Sequence, residues 1–298
     1  MAQQPDLLIQ SGKVLAQVRE FVKGVSLQGK SVLQLCEEVE WKIRELGGDP
    51  AFPCNVGINE VAAHYTSPWD DRSSIPGNSI VKVDFGVEID GFVTDSAITI
   101  SLNPAYDSMI VAAETALQEA LAAVAPGRKL AEIGSVVERC IERYGFKPIR
   151  NLTGHKIDRY TIHAGKSVPN VSGIESGRFE VGEVYAIEPF VTLKQAEGAV
   201  RDGDSAYIFR YVKEKGAKSG EAIKLIGYIH ENYKTLPFAA RWVHKAFPQS
   251  EYTGAFEELV NRRCITGYPV LVEASGNVVA QAEHTIAITE NGCRVLTV

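Results

Sequence analysis

The stretch VKVDFGVEIDGFVTDSA, residues 81–97, has the composition of a buried β-hairpin. Valine, isoleucine, phenylalanine and threonine favour strands, and Asp90-Gly91 is a strong short-range signal for a tight hairpin turn. A two-residue turn at this point also sets the register of the two strands. The sequence therefore predicts an antiparallel hairpin over 80–101.

The same register brings two carboxylates together inside the hairpin. Pairing across the turn places Gly86 opposite Asp95 and Ala97 opposite Asp84. Since Asp84 and Gly86 share a face, Asp84 and Asp95 become diagonal neighbours on it. Two ionised and partly desolvated carboxylates repel, at a cost on the order of several kcal/mol, unless one is protonated or a cation lies between them. The hairpin therefore predicts a positive group in that gap.

The overall composition is typical of a soluble globular enzyme or binding protein. The 298 residues are 45% hydrophobic and 23% charged, and the net charge of -6 argues against nucleic acid as the main partner of the surface. Five cysteines are scattered without a C-x-x-C pair, so neither a disulfide framework nor a thiolate zinc site is indicated. The amino terminus has no signal-peptide pattern, and no apolar run approaches the roughly 18 residues of a membrane span. We expect a cytoplasmic protein without a membrane partner.

Two helix pairs with matching punctuation indicate an internal repeat. Apolar residues at helical spacing predict four helices, over 5–26, 31–47, 107–125 and 130–145. At an offset of 98 residues, the glycines and prolines that punctuate the two pairs coincide: Gly29 with Gly127, Gly47 with Gly145, and Pro50 with Pro148. Apolar positions alone could coincide by chance, but the shared Gly/Pro punctuation favours a duplication.

Strands follow each helix pair, which predicts an α+β fold. The expected strands are 51–66 and the 80–101 hairpin after the first pair, 160–163 and 183–191 after the second, and the final runs VLVEAS and VVAQAEHTIAIT, which the Gly276-Asn277 turn separates. We expect these antiparallel strands to form a curved sheet with the helices packed on its outer face.

Residues 200–265 interrupt this plan with apolar patterns of helical type, such as GEAIKLIGYIHENY. We predict a compact helical insert there, which leaves 1–199 and 266–298 as the main domain. The insert holds 11 Lys/Arg against 8 Asp/Glu. A mild basic excess is typical of a solvated surface, and contact with nucleic acid or the ribosome is the alternative.

Further candidate site residues are polar residues within otherwise apolar segments of the sequence. His155 follows a glycine in NLTGH, Glu188 lies in EVYAIEPF, and Glu283 lies in VAQAEHTIAI. Taken singly, such a glutamate more often pairs with an arginine, and such a histidine more often packs in the core. Together with Asp84 and Asp95 they form an oxygen-rich set that suits a pair of divalent first-row ions.

Four motifs in order make the chain resemble the type 2 methionine aminopeptidases: the spacing of Asp84 and Asp95, GHKIDRYTIHAGKSVP, EVYAIEPF and AEHT. The resemblance covers nearly the whole chain and implies the pita-bread fold, whose two halves are related by a pseudo-twofold axis. The helical insert is similar to the one that separates type 2 from type 1 members, and the short amino-terminal region resembles the archaeal form. The implied activity is removal of the initiator methionine from peptide N-termini, with a preference for small second residues.

Carried over position by position, the resemblance assigns five ligands to two divalent ions, with cobalt, manganese, iron and zinc all suited. Asp95 and Glu283 would bridge the two ions. Asp84 would complete the shell of one ion, and His155 and Glu188 that of the other. Glu188 would also act as the proton shuttle.

The resemblance also assigns residues to catalysis and substrate binding. His64 would be the catalytic histidine and His163 the second active-site histidine, although His64 could instead be a residue that only packs. Phe52, Ile162 and Tyr268 would line the pocket for the methionine side chain. We expect the enzyme to be a monomer.

Two other functions remain open. A prolidase or aminopeptidase P would use the same five ligands on X-Pro bonds, but these relatives normally carry an additional amino-terminal domain, and 83 residues precede Asp84 here. A non-catalytic homologue could use the fold to bind protein or RNA. Such proteins typically lack several of the ligands, whereas this chain has all five.

Overall fold

The computed structural model describes residues 4–174 and 177–298, which form a mixed fold of helices and antiparallel strands. The helices are α1 (Gln4–Lys23), α2 (Val32–Glu45), α3 (Asp107–Ala123), α4 (Leu130–Arg143), α5 (Gly220–Tyr233), α6 (Ala240–His244) and α7 (Gln249–Asn261). The strands are β1 (Asp49–Ile58), β2 (Val61–Ala63), β3 (Ile80–Ile89), β4 (Phe92–Ser101), β5 (Lys147–Pro148), β6 (Thr153–Ile157), β7 (Ser167–Pro169), β8 (Val184–Ile187), β9 (Phe190–Thr192), β10 (Val200–Tyr211), β11 (Phe238–Ala239), β12 (Ile265–Glu273), β13 (Val279–Gln281), β14 (His284–Thr289) and β15 (Gly292–Val295). None of the helices in these two ranges has the length and apolar character that a membrane span requires.

The predicted hairpin is confirmed as β3 and β4. Its strands pair in the expected register, with Gly86 opposite Asp95 and Asp84 opposite Ala97. The turn residues have positive φ, 49° at Asp90 and 81° at Gly91, as a type I′ turn requires. The strand β1 pairs with the other edge of β3, so the carboxylates lie on a three-stranded sheet.

The helix pairs repeat the same turn geometry at both predicted positions. φ is 75° at Gly29 and 80° at Gly127, where each pair is joined, and 87° at Gly47 and 80° at Gly145, where each second helix ends. The pair α1 and α2 packs on one apolar core with β1 and β3. The pair α3 and α4 packs on a second core with β8 and β14. Each half thus has its own helical cover, as the predicted repeat requires.

The strands of the two halves meet along β4. Asp95 N donates to Thr285 Oγ1 at 2.7 Å, and Thr285 Oγ1 donates to the Asp95 carbonyl oxygen at 2.7 Å. Ser96 Oγ donates to the Glu283 carbonyl oxygen at 2.7 Å. The four sheets have the strand orders β1-β3-β4, β13-β9-β5, β15-β14-β8-β6-β7 and β11-β10-β12-β2.

The strand predicted over 160–163 is wrong. The chain makes a tight turn there, in which Asp158 and Thr161 exchange backbone hydrogen bonds of 2.9 Å. Tyr160 has a φ of 53°, and its N–H donates to the Gly91 carbonyl oxygen at 2.9 Å. The Tyr160 side chain lies instead at the tip of the hairpin, where its hydroxyl donates to Asp90 Oδ1 at 3.3 Å, and Ile162 packs in one cluster with Val93.

Other predicted strands are interrupted where the backbone hydrogen bonds to the neighbouring strand stop. The run 183–191 ends at Ile187 and resumes at Phe190, because Pro189 has no N–H to donate. The run 51–66 ends at Ile58, and the short strand β2 follows after a turn. The final run is likewise divided into β13 and β14, and β15 lies beyond the predicted strands.

The segment 200–265 is only partly helical. Helices α5 and α7 share an apolar core with α6, but β10 is a strand that pairs with β11 and β12. The helical expectation is therefore wrong for 200–211, where the sequence VRDGDSAYIFRY supplies an exposed and irregular strand. That the three helices form a subdomain of their own stays a prediction.

Candidate active site

A cavity of about 340 Å³ opens beside the β3–β4 hairpin. Its lining includes all of the residues that the sequence singled out for metal binding, catalysis and substrate binding: Phe52, His64, Asp84, Asp95, His155, Ile162, His163, Glu188, Tyr268 and Glu283. They come from both halves of the fold and from the segment that follows α7. The structure therefore brings the predicted site residues to one place.

The carboxylates and one imidazole form a compact cluster. Asp95, His155 and Glu283 each offer a ligand atom within 4.8 Å of the other two. His155 Nε2 lies 3.5 Å from Asp95 Oδ2 and 3.5 Å from Glu188 Oε1. Asp84 lines the cavity next to this group. Several oxygen donors with one neutral nitrogen are a donor set for divalent first-row ions.

Burial strongly perturbs the titration of this cluster. It raises the pKa of Asp84 to about 7. It raises the pKa of Asp95, Glu188 and Glu283 well above the usual range, and the neighbouring carboxylates raise these pKa values further. Burial lowers the pKa of His155 to about 3, so its imidazole is neutral and can donate a lone pair. A cation among these groups would reverse the carboxyl shifts, because it favours the ionised form.

Unpaired buried oxygens point to the same chemistry. Asp84 Oδ1 and Asp95 Oδ1 are buried and have no hydrogen-bond partner among the described residues. A buried acceptor without a donor costs free energy, and a divalent cation would supply the missing partner. The residues of the cavity therefore fit a metal site.

Polar side chains of the last strands hold the cluster in place. Gln281 Nε2 donates to Glu283 Oε2 at 3.2 Å and to Glu188 Oε2 at 3.4 Å. Thr285 is bonded to the main chain of Asp95 in both directions. Arg19 reaches in from α1, and its Nη1 donates to the Glu283 carbonyl oxygen at 3.1 Å. Hydrogen bonds from Gln281 therefore orient the carboxylates of Glu188 and Glu283.

Two neutral histidines face the cavity. His64 follows β2 with a φ of 63°. Its Nδ1 lies 3.3 Å from the Pro269 carbonyl oxygen, and its ring meets that of Tyr268 edge to face. Burial lowers the pKa of His64 to about 4, and it also lowers the pKa of His163. The rings of His163 and His155 lie 4.3 Å apart. Two uncharged imidazoles, those of His64 and His163, therefore lie on the cavity that holds the carboxylate cluster.

The apolar wall of the cavity depends on a glycine of the hairpin. Phe52 and Ile162 belong to one buried cluster with Leu236, and Tyr268 lies on the strand β12. A Cβ at Gly86 would lie 2.4 Å from the ring of Phe52. The absence of a side chain at Gly86 therefore allows the Phe52 ring to lie against β3.

Five polar lining residues were not predicted, namely Asn55, Asn151, Thr153, Lys166 and Ser167. Asn55 pairs with Asp84 across β1 and β3. Its Nδ2 donates to the Pro53 carbonyl oxygen at 3.0 Å, and its Oδ1 is buried without a partner among the described residues. A single amide within the apolar text AFPCNVGI was the signal that could have identified it.

The sequence pattern of metallopeptidase family M24 matches residues 6–210. The chain belongs to metallopeptidase family M24. A methionine aminopeptidase of Methanocaldococcus jannaschii is 42% identical to it over 290 residues, which cover 97% of each chain. The resemblance to the methionine aminopeptidases is thereby confirmed for this M24 protein.

Solved structures confirm the pita-bread fold of this M24 metallopeptidase. A structure of a thermophilic Arx1 superposes with a TM-score of 0.83 at 21% identity, over 98% of this chain and 90% of that one. The methionine aminopeptidase of Thermotoga maritima superposes with a TM-score of 0.71 at 21% identity, over 100% of this chain and 97% of that one. At this identity the likenesses show the fold alone.

Family membership makes the protein a metal-dependent peptidase. Divalent metal is the cofactor of an M24 metallopeptidase, and the buried cluster around Asp95, His155 and Glu283 supplies suitable donors.

Proposed function

We propose that this M24 metallopeptidase is a methionine aminopeptidase that removes the N-terminal methionine from peptides whose second residue is small. The observation that carries the proposal is the single cavity on which the predicted ligands, histidines and apolar pocket residues converge. The name of the M. jannaschii relative supports the same substrate. A prolidase would use the same ligands, so the ligand set does not separate the two activities. The apolar pocket and the name of the M. jannaschii relative favour a substrate that begins with methionine.

Five residues would hold two divalent ions. Asp95 and Glu283 would bridge them, Asp84 would complete one shell, and His155 and Glu188 the other. The buried and unpaired carboxylate oxygens support this assignment, and cobalt, manganese, iron and zinc all suit the donor set. When bound, such ions lower the pKa of a coordinated water to about 7 and polarise the scissile carbonyl.

Protein side chains would handle the protons and the developing charge. Glu188 would take the proton from the attacking water and pass it to the leaving amine. His64 and His163 would hydrogen-bond the substrate and the oxyanion of the tetrahedral state. Their lowered pKa values make both imidazoles neutral, and a neutral imidazole carries a single N–H. In His64 this N–H is on Nδ1, beside the Pro269 carbonyl oxygen, so its Nε2 would accept from the substrate, whereas His163 would donate to the oxyanion.

Phe52, Ile162 and Tyr268 would hold the methionine side chain. A flexible thioether makes favourable contacts with aromatic and branched surfaces. By the resemblance, small second residues would be preferred, because a narrow site beyond the scissile bond would clash with larger ones.

The surroundings of the enzyme belong to the same proposal. We infer a monomer that acts in the cytoplasm on peptide N-termini that start with methionine. The basic excess of 200–265 would lie mainly on a solvated surface, and ribosome contact there is the alternative that a ribosome-binding assay would detect.

The experiment is metal-dependent release of free methionine. Protein stripped with chelator and refilled with manganese or cobalt is given Met-Ala-Ser or Met-Leu-Ser. We expect cleavage of the alanine peptide and little of the leucine peptide. Cleavage of X-Pro peptides alone would instead favour a prolidase, and folded protein without bound metal would favour a binding module.

A further inference from the structure

A buried ion pair joins α6 to α2 outside the lining of the cavity. Arg241 is 1% exposed and Glu40 is 3% exposed, and the Arg241 guanidinium donates to Glu40 Oε1. Trp242 Nε1 donates to Glu40 Oε2 at 2.8 Å. Burying two charges is costly unless further hydrogen bonds satisfy both groups. The remaining partners of the pair therefore show what it holds.

Those partners belong to the two segments that carry His64 and Phe52. Arg241 Nη1 donates to Thr66 Oγ1 at 2.6 Å and to the Ser67 carbonyl oxygen at 3.0 Å. Thr66 lies two residues after His64. On the other side, Cys54 N donates to Glu40 Oε1 at 3.1 Å, and Cys54 lies two residues after Phe52.

Thr66 closes the network between the two segments. Its Oγ1 donates to the Cys54 carbonyl oxygen at 2.7 Å while it accepts from Arg241. Both polar groups of the Cys54 backbone are thus bonded within the network, one to Glu40 and one to Thr66. The ion pair therefore fixes the distance between the His64 segment and the β1 segment.

The backbone of His64 needs such support. Its φ of 63° is uncommon for a residue with a side chain and persists only when flanking structure imposes it. Before His64, Ala63 pairs with Leu271 of β12. After it, Val56 N donates to the Tyr65 carbonyl oxygen at 2.8 Å, and the next two residues are bonded to Arg241.

We propose that Arg241, held by Glu40, is a positioning residue for His64. It acts through Thr66 and Ser67 and does not touch the substrate, so α6 contributes to catalysis from outside the cavity. The inference rests on the proposed function for its kinetic consequence. Its structural consequence, a fixed His64 segment, is independent of the substrate.

The kinetic test uses Arg241→Met combined with Glu40→Gln, so that no unpaired charge stays buried. Val243→Ala is the matched control, since Val243 is fully buried on the same helix and its aliphatic side chain forms no hydrogen bond to the His64 segment. We expect kcat for Met-Ala-Ser to fall about 10- to 100-fold, because a displacement near 1 Å can cost about 100-fold. KM, bound metal and the kcat of the control should change less than about threefold.

A double-mutant cycle separates positioning from general stability. In a His64→Ala background, measured with enzyme in excess, the same pair of substitutions should lower kcat by less than about twofold, because coupled residues are not additive. An equal loss in both backgrounds, or an unchanged kcat with His64 present, overturns the proposal.

Backbone hydrogen exchange of residues 56–67 tests the positioning role of Arg241 without any substrate. We expect faster exchange there in the Arg241→Met/Glu40→Gln protein and not in Val243→Ala. Should the double variant fail to fold, Thr66→Val removes only the linking hydroxyl and should speed exchange, whereas Thr66→Ser should restore it. Wild-type exchange rates in the variants would overturn the proposal, while absence of methionine release by the wild type would count against the proposed function alone.

Discussion

Single residues of the site are held in states that water would not favour. Burial keeps the carboxyls of Asp95 and Glu283 protonated to unusually high pH, and it keeps the imidazoles of His64 and His155 neutral to unusually low pH. A divalent cation stabilises the ionised carboxylates and the neutral imidazole ligand together. Substitutions that alter one donor should therefore separate metal binding from catalysis.

Glu283→Gln is expected to lose bound metal and nearly all activity, because it would replace a charged oxygen of the proposed ligand set with a neutral amide. Glu273→Gln is the matched control: Glu273 is also buried, but its carboxylate accepts from the Ser275 and Asn277 N–H groups away from the cavity. Metal content by atomic emission and methionine release check both proteins. Full metal content in Glu283→Gln would contradict its assignment as a ligand.

His64→Ala is expected to keep its metal and lose about 100-fold or more in kcat, which is the scale of effect of removing one group that hydrogen-bonds the reacting atoms. Metal is kept because His64 faces the cavity from the position after β2, whereas the proposed carboxylate ligands lie on β3 and β4 and next to β8 and β14. Metal content and steady-state kinetics measured on one preparation check this. A variant with normal kcat would remove His64 from the catalytic set.

At the scale of elements, the β3–β4 hairpin supplies two donors and also limits the apolar pocket. Gly86 lies opposite Asp95 in β4 and opposite Phe52 in β1. One backbone position without a side chain therefore lies between the carboxylate cluster and the pocket wall. A methyl group added there has no free space.

Gly86→Ala is expected to destabilise the fold by about 1 to 3 kcal/mol, as overpacking of a core does, and to raise KM for methionine peptides because the Phe52 ring must move. Gly227→Ala on α5 is the control, since nothing lies within 4 Å of its added methyl group and alanine favours a helix by about 1 kcal/mol. Urea unfolding and KM for Met-Ala-Ser check both variants. An unchanged KM in Gly86→Ala would show that the Phe52 ring does not contact the substrate.

For the whole molecule, metal loading and protonation compete for the same buried groups. The pKa of Asp84 is about 7 in the folded protein without metal, against 3.8 for an unperturbed aspartate. The folded metal-free protein therefore binds more protons than the unfolded chain between about pH 4 and pH 7, and this group lowers its stability as the pH rises through that window.

The stabilisation by metal should consequently grow with pH. Metal binding at saturating concentration is expected to raise Tm by about 5 to 15 °C near pH 7.5, and by less at pH 5, where protons occupy the ligands. Calorimetry of metal-free and manganese-loaded protein across this range checks the trend. In Asp84→Asn the pH dependence of the gain should be smaller, and a gain independent of pH in the wild type would contradict the competition.

Local sequence signals were sufficient to predict the turns and helix joints at which they occur. The Asp90-Gly91 turn fixed the register of β3 and β4, and the glycines at Gly29 and Gly127 marked equivalent helix joints, because each requires a backbone conformation that few residues adopt. Residues 160–163 and 200–211 were assigned wrongly, since side-chain composition does not specify whether a short segment finds a strand partner.

Local patterns of residues were sufficient to predict the hairpin, the duplicated helix pairs and, through four motifs, the resemblance that named the site residues. The packing of the whole chain was needed to show that these residues meet at one cavity, that Asn55 joins them, and that Arg241 reaches the segment after His64 from α6. The physical reason is the range of the interactions. Turns and caps depend on a few adjacent residues, whereas burial, pKa shifts and buried ion pairs depend on groups brought together from distant parts of the chain.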